Sequence, residues 1–237
     1  MKLVNKLNHI AIIPDGNRRW SQKRGLNSWI GHYYGGKTLK KVLKRVLELK
    51  IPYFTFWACS KDNLEKRSKN EVKFLLKLFE KEFKKLIKTK EIHKNKVKIR
   101  ILGFWQELFP EKLKKVFKDV IEATKDYNNY NLNFLMAYDG KEEIQRVVEI
   151  LAKISQEQPN FKITPEVIKS HLITNELPPV DLVIRTGGEP HLSAGFMMWE
   201  VADSQLYFIK KLWPDFTGDD LEKAVLEYNR RERKFGA

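Results

Sequence analysis

The chain has 237 residues, of which 42% are hydrophobic, enough for one substantial core; disorder, a collagen-like fibre and a disulfide miniprotein are excluded. Its 45 Lys and Arg against 30 Asp and Glu give a net charge of +15, and the excess lies in the first half: residues 1–120 carry 31 basic and 11 acidic side chains, whereas 121–237 carry 14 and 19. The single cysteine, Cys59, cannot pair internally and fits a reducing cytoplasm. In chain order, the opening MKLVNKLNHIAII reaches Pro14-Asp15 too soon for a signal-peptide core or a membrane span, so any membrane contact is expected from the side.

Short apolar runs then alternate with segments of helical period, with no internal repeat and no linker long enough to split the chain. The expected strands are His9–Ile13, Tyr53–Ala58, Val97–Leu102, Leu132–Ala137, Leu182–Ile184 and Gln205–Ile209. The clearest helix runs from Asn70 to Lys90: Val72, Leu75, Leu76, Phe79, Phe83, Leu86 and Ile87 share one face, and lysines occupy the other. This order predicts a single α/β domain over residues 1–237, with a mainly parallel six-stranded sheet flanked by helices on both faces.

Unusual residues follow the strands. Asp15-Gly16-Asn17 follows the first, Ser60-Lys61-Asp62-Asn63 the second, Tyr138-Asp139-Gly140 the fourth and Arg185-Thr186-Gly187-Gly188-Glu189 the fifth. The carboxyl ends of parallel strands share one edge, so these four loops are expected to converge on one cleft. Asp15-Gly16-Asn17-Arg18-Arg19-Trp20 has the parts of an oxyanion site: a glycine for close backbone approach, a helix start offering N–H groups, and paired arginine donors. A carboxylate beside a phosphate needs a cation between them, so Asp15 points to Mg²⁺ bridging it to a diphosphate. The same triplet is also a common turn. Arg185-Thr186-Gly187-Gly188-Glu189 reads as a second anion loop whose glycines expose backbone N–H groups, or as a turn with a solvent-facing arginine. No GxxxxGK[ST], no GxGxxG after a strand and no GxSxG occurs.

HIAIIPDGNRRW, the Gly31-His32 pair, FTFWACSKDN, DLVIRTGGEPHLS, QLYFIKKLWPDF and RRERKFG together resemble the cis-prenyltransferase (undecaprenyl diphosphate synthase-like) family, in order from about residue 8 to the C-terminus. The resemblance implies condensation of isopentenyl diphosphate with an allylic prenyl diphosphate, forming a cis double bond and a longer chain. It also implies Mg²⁺, a homodimer, and a hydrophobic tunnel under the site, which the apolar face of the 70–90 helix can help line. Position by position, Asp15 matches the family's catalytic aspartate, which handles the metal. Gly16, Asn17, Arg18 and Arg19 match the first diphosphate loop, and Trp20 and His32 match neighbouring substrate contacts. Ser60 and Asn63 match an S-x-E-N-W segment in which Lys61 and Asp62 fill the middle and Leu64 replaces the tryptophan. A neutral amide is a poor base, so Asn63 is assigned an orienting or relay role, with released diphosphate as the final base. Arg67 is taken as the following arginine, one residue later than usual. Arg185 and Ser193 match contacts to isopentenyl diphosphate, and His191, in place of the family's arginine, is taken as a third substrate contact beside them. Arg230–Lys234 is implied to reach a partner's site; it also reads as a plain helix end with cations near the negative dipole.

The departures concentrate on the second-substrate side. His191 stands for an arginine, and Gln205 for a metal-binding glutamate. Ser28 stands for an arginine between Trp20 and His32, Ala137-Tyr138-Asp139-Gly140-Lys141 for N-Y-G-G-R, and Trp57 and Cys59 for tyrosine and phenylalanine. They leave open a divergent member that cyclises, eliminates or irregularly couples a prenyl diphosphate, and a non-catalytic subunit of a prenyltransferase complex. The basic half invites nucleic acid, but no recognised module is present and none is expected to bind. The lysine face instead suits peripheral contact with an anionic membrane by a cytoplasmic protein.

Overall fold

The computed structural model describes residues 7–231. Six strands, β1 His9–Ile13, β2 Tyr53–Ser60, β3 Val97–Leu102, β4 Tyr130–Tyr138, β5 Leu182–Arg185 and β6 Gln205–Phe208, form one sheet in the order β3-β4-β2-β1-β5-β6. Every pairing is parallel, so the sheet is wholly rather than mainly parallel. Chain order reverses at β1, which lies between β2 and β5, and that is where an open α/β sheet presents its ligand crevice.

Period-2 alternation divides the strands between two cores. Ile10, Ile12, Phe54, Phe56, Leu132, Phe134, Leu182 and Ile184 face one way. There they meet α2 Ser28–Glu48, α4 Lys69–Leu86, α7 Glu111–Thr124 and α10 Gly218–Arg230 through Val42, Phe83, Phe117 and Leu221. Ala11, Ile13, Trp57, Leu135 and Val183 face the other way, against Leu177, Val180, Phe196, Met197 and Val201. That second face is covered largely by irregular chain, while α8 Gly140–Glu157 and α9 Pro165–His171 form a small cluster of their own around Val147, Leu151 and Leu172. Short helices α1 Asn17–Gln22, α3 Lys61–Lys66, α5 Lys90–Lys94 and α6 Trp105–Leu108 complete the order, with a 3₁₀ turn at Trp213–Asp215.

The helix expected to reach Lys90 stops at Leu86, because Thr89 begins a new helix, α5. Strand β2 runs past Ala58 to Ser60 by way of two register slips against β4. One adds a residue to β2 between Trp57 and Cys59; the next adds Ala137 to β4, with φ of 51°. Such bulges re-aim side chains at the end of a strand, and here they deliver Ser60 to the sheet edge as the N-cap of α3. Close approach of α1 and α2 requires Gly31, where a Cβ would lie 1.9 Å from the carbonyl oxygen of Asn17.

Candidate active site

Asp15 is fixed by its own backbone before its side chain does anything. Its carbonyl accepts from Thr186 Oγ1 at 2.7 Å and from the Trp213 amide at 3.0 Å, and its amide donates to Ile13 at 3.0 Å. The carboxylate is a third exposed, and Oδ2 receives Arg185 Nη2 at 3.0 Å and Arg19 Nη2 at 3.2 Å. Arg185 is almost fully buried. It spends Nη1 on the His191 carbonyl (2.6 Å) and Ser193 Oγ (2.8 Å), so the end of β5, the 191–193 turn and the end of β1 form one unit. Arg19 reaches on to Glu189 at 3.4 Å.

On the other side of Asp15, α1 starts at Gly16 with no side-chain cap, so its first-turn amides remain for a ligand. Asn17 is tied to the Pro14 carbonyl at 3.2 Å. His32 on α2 and Arg67, at the end of α3, meet there: Arg67 Nη1 lies 3.2 Å from His32 Nε2, and Glu71 Oε1 lies 3.3 Å from His32 and 3.4 Å from Arg67. Burial lowers the His32 pKa from its usual value against the opposing pull of Glu71. The hydrogen bond from His32 holds the Glu71 carboxyl below the usual glutamate range, with Arg67 and Arg18 adding to it. Ser60 and Asn63 close a capping box, Asn63 N donating to Ser60 Oγ (3.1 Å) and Ser60 N to Asn63 Oδ1 (3.4 Å), which fixes the amide at the cleft wall.

These residues line two adjoining hollows. One of about 410 Å³ is bounded by Asp15, Arg18, Arg19, His32 and Arg67. The second, about 220 Å³, is bounded by Asp15, Ser60, Asn63, Arg67, Arg185 and Ser193. Ala58 joins the second to an apolar crevice of about 90 Å³ between α2, α4 and the sheet, walled by Leu39, Phe56, Phe79, Phe83, Leu86 and Met136.

Several expected residues do not reach these walls. Trp20 is buried, its indole donating to Asp215 at 2.7 Å and its ring covered by Arg24 at 4.0 Å, so it anchors α1 to the 3₁₀ turn. Lys61 turns to Glu142 at 2.6 Å, and Asp62 pairs with Lys66 at 2.7 Å along the outer side of α3. The ring of His191 is exposed and lies 3.3 Å from Ser193 Oγ; its carbonyl, rather than its imidazole, is what Arg185 holds. The loop after β4 stays out of the cleft: the Tyr138 hydroxyl donates to buried Glu143 at 2.6 Å, and Asp139 caps α8. Nor does the RTGGE loop expose its glycine amides. Gly187 N donates to the Lys211 carbonyl at 2.8 Å and Gly188 N to that of Ile209 at 3.0 Å, so these amides are spent on chain that follows β6. Gly187 serves by shape instead, having φ of 92° and a missing Cβ that would stand 2.6 Å from Arg19 Nη2. Gln205 pairs with Leu182 in register and so lies at the opposite edge of the sheet from Arg185.

Glu71 is the residue that sequence patterning does not single out, since Ser68-x-x-Glu71 reads as an ordinary capping box. Only half of that box forms: the Glu71 amide donates to Ser68 Oγ, while its carboxylate turns to the cleft. Cys59 is buried, with its thiol pushed up to about 11, and is no nucleophile. No cluster of three or more metal-ligating side chains occurs among the described residues. Asp15 alone nevertheless fits a hard cation. Its Oδ1 has no protein partner among the described residues, and an ion of the Mg²⁺ type takes one or two carboxylates and completes its shell with substrate phosphate and water.

Arginines from three separate segments, lining hollows beside an apolar crevice, fit an enzyme site for a molecule with an anionic head and a hydrocarbon tail. A family model described as undecaprenyl diphosphate synthase matches residues 13–236. The chain is 38% identical to tritrans,polycis-undecaprenyl-diphosphate synthase (geranylgeranyl-diphosphate specific) of Thermococcus kodakarensis, covering 100% of this chain and 89% of that protein. It is 41% identical to isoprenyl transferase of Thermotoga maritima, with 96% of each chain covered. Lavandulyl diphosphate synthase from Lavandula x intermedia, in complex with dimethylallyl diphosphate, superposes with a TM-score of 0.90 at 32% identity over 98% of both chains. The chain belongs to the undecaprenyl diphosphate synthase family and is a prenyltransferase. Among its described residues no helix is long and apolar enough to cross a membrane.

Proposed function

We propose that the protein condenses isopentenyl diphosphate with an allylic prenyl diphosphate to give a Z-polyprenyl diphosphate. The observation that carries this reading is Asp15, held between Arg19 of α1 and Arg185 at the end of β5, in a cleft that shares Ala58 with an apolar crevice. Arg18, Arg19 and Arg67, with the uncapped start of α1, bind the allylic diphosphate; Arg185 and Ser193 bind the second diphosphate. Asp15 is the residue that would hold Mg²⁺ against the allylic diphosphate, where the ion supplies charge neutralisation of the leaving group. The allylic C–O bond breaks as the arginines stabilise the departing diphosphate. The isopentenyl double bond then attacks the allylic C1, and a proton leaves the adjoining carbon for the released diphosphate. Asn63, locked in its box, orients the reacting chain rather than taking the proton. The apolar crevice receives the growing tail.

A second reading is irregular coupling of two allylic diphosphates. It is favoured by the second-substrate side, where the His191 ring is exposed and, among the described residues, Arg185 and Arg67 are the guanidiniums that line the hollow beside Ser193. One experiment decides between them: incubation with Mg²⁺ and allylic diphosphates of increasing length, with and without isopentenyl diphosphate, followed by mass analysis of the extracted lipids. Elongation that depends on isopentenyl diphosphate is expected. Product formed from allylic diphosphate alone supports irregular coupling, and no product with any primer refutes both.

The assembly is proposed to be a homodimer. β6 is an edge strand whose exposed Leu206 and Phe208 lie near Met198 and Trp199 in sequence, an apolar edge of the kind that a second copy covers. The expected contribution of Arg230–Lys234 to a partner's site falls mostly on residues 232–234, which lie outside the described residues; Arg231 itself donates to the Leu206 carbonyl at 3.1 Å. Lysines on the outer faces of α4 and α7 are partly neutralised, Lys84 and Lys112 by Glu80 and Lys85 by Glu82; those left over suit peripheral contact of a cytoplasmic enzyme with an anionic membrane.

A further inference from the structure

Glu71 poses a physical problem, being a carboxylate in the wall of a cleft built for anions. Its side chain is 7% exposed, yet it makes no bond to its own cap residue beyond the backbone one. Instead its Oε1 gathers three cleft groups from three elements: His32 of α2 at 3.3 Å, Arg67 after α3 at 3.4 Å, and Arg18 of α1 at 3.9 Å. Arg67 has few alternatives. Its side chain is 17% exposed, and its other close polar neighbour is His32 Nε2, which also faces Glu71. That ring nitrogen can accept from Arg67 or donate to Glu71, but it cannot do both at once. Without the carboxylate, the buried guanidinium would keep only the His32 Nε2 lone pair as a close acceptor, and then only in the tautomer that leaves that nitrogen unprotonated.

We infer that Glu71 is a positioning residue: it holds Arg67 and His32 in the cleft in the orientation that receives the allylic diphosphate. This rests on the reading of the cleft as the diphosphate site and names a part of it. The helix start makes the placement dependable, since Ser68 Oγ fixes the Glu71 amide in the first turn of α4 and aims the side chain across to α2.

Charge and positioning predict opposite signs, and the test uses this. A carboxylate that merely adds negative potential repels diphosphate, so Glu71→Gln would tighten binding. A carboxylate that positions Arg67 and His32 is needed, so the same change weakens it. The probe is inorganic pyrophosphate with Mg²⁺, titrated calorimetrically into the full-length protein. For Glu71→Gln the dissociation constant is expected to rise about tenfold, the KM for the allylic diphosphate to rise with it, and the melting temperature to stay near that of the wild type. In an Arg67→Gln background the same substitution is expected to change affinity by about twofold or less, because its effect runs through the missing guanidinium. If the amide variant does not fold, Glu71→Asp, which keeps the charge but withdraws the oxygens by one methylene, is expected to weaken binding in the same direction. Unchanged or tighter pyrophosphate binding in a folded variant overturns the inference, as does full additivity with Arg67→Gln. Failure of the wild-type protein to bind pyrophosphate overturns instead the reading of the cleft on which it rests.

Discussion

Replacing Asp15 by Asn isolates the charge at the centre of the site, because the side chain keeps its shape and its backbone anchors to Thr186 and Trp213 are untouched. Two contacts change. The pair with Arg19 is between partly exposed side chains and contributes about 0.2–1 kcal/mol. The bond from Arg185 is a different case, since that guanidinium is 6% exposed and a hydrogen bond to a charged partner contributes about 1.5–3 kcal/mol. Asparagine still offers Arg185 a neutral oxygen, so the expected loss of stability is about 1–2 kcal/mol. For a chain of this size that lowers the melting temperature by about 2–8 °C. The effect on turnover is expected to be much larger. Removing one preorganised charge-stabilising group typically costs about 10²–10³ in rate, and Asp15 both orders two arginines and offers the oxygen for a cation. The assay is formation of extractable prenyl product under saturating Mg²⁺ and both diphosphates, alongside circular dichroism and a melting curve. A folded variant that retains more than about a tenth of the wild-type rate would refute the placement of Asp15 at the reacting diphosphate.

Gly187→Ala puts a methyl 2.6 Å from Arg19 Nη2 on a backbone with φ of 92°. An expected destabilisation of about 1–3 kcal/mol, with a raised KM for diphosphate as Arg19 is displaced, is checked by melting and steady-state kinetics; wild-type values in both would show that the loop relaxes freely. His9 is fully buried between the Pro178 carbonyl and Thr55 Oγ1, and burial holds its pKa down to about 4, below the usual 6.5. The folded state therefore binds fewer protons than the unfolded chain between those values. The stabilisation is complete above the usual histidine value and is lost as the pH falls toward 4, to the extent of about 3 kcal/mol. An NMR titration in which the His9 imidazole of the folded protein charges near its usual pKa would contradict this.

Much of the architecture was legible in the sequence because burial writes a period into it. The alternation that puts Ile10 and Ile12 on one face and Ala11 and Ile13 on the other marks β1, and the apolar repeat through Leu75, Phe79 and Phe83 marks α4. Loop chemistry was legible in part. Asp15, Arg18, Arg19 and Arg185 stand out because charged residues beside glycine at strand ends are unusual, and the structure brings them together. Patterning could not say where hydrogen bonds would go. The glycine amides of the RTGGE loop look free in one dimension, and only the neighbouring chain after β6 shows that they are spent.

The charge of +15, concentrated in the first half, is a property of the sequence alone, and so is the mainly parallel sheet implied by strands alternating with helices; that every pairing is parallel emerged only in the structure. Tertiary structure decided which charges matter. Lys61 and Asp62 sit beside Asn63 in the chain yet face Glu142 and Lys66, whereas Glu71, eight positions beyond Asn63, turns into the cleft to meet His32 and Arg67. The physical reason is that a strand end or helix start fixes the direction of each side chain, while the partner it finds there comes from another segment. Sequence distance carries no record of that meeting.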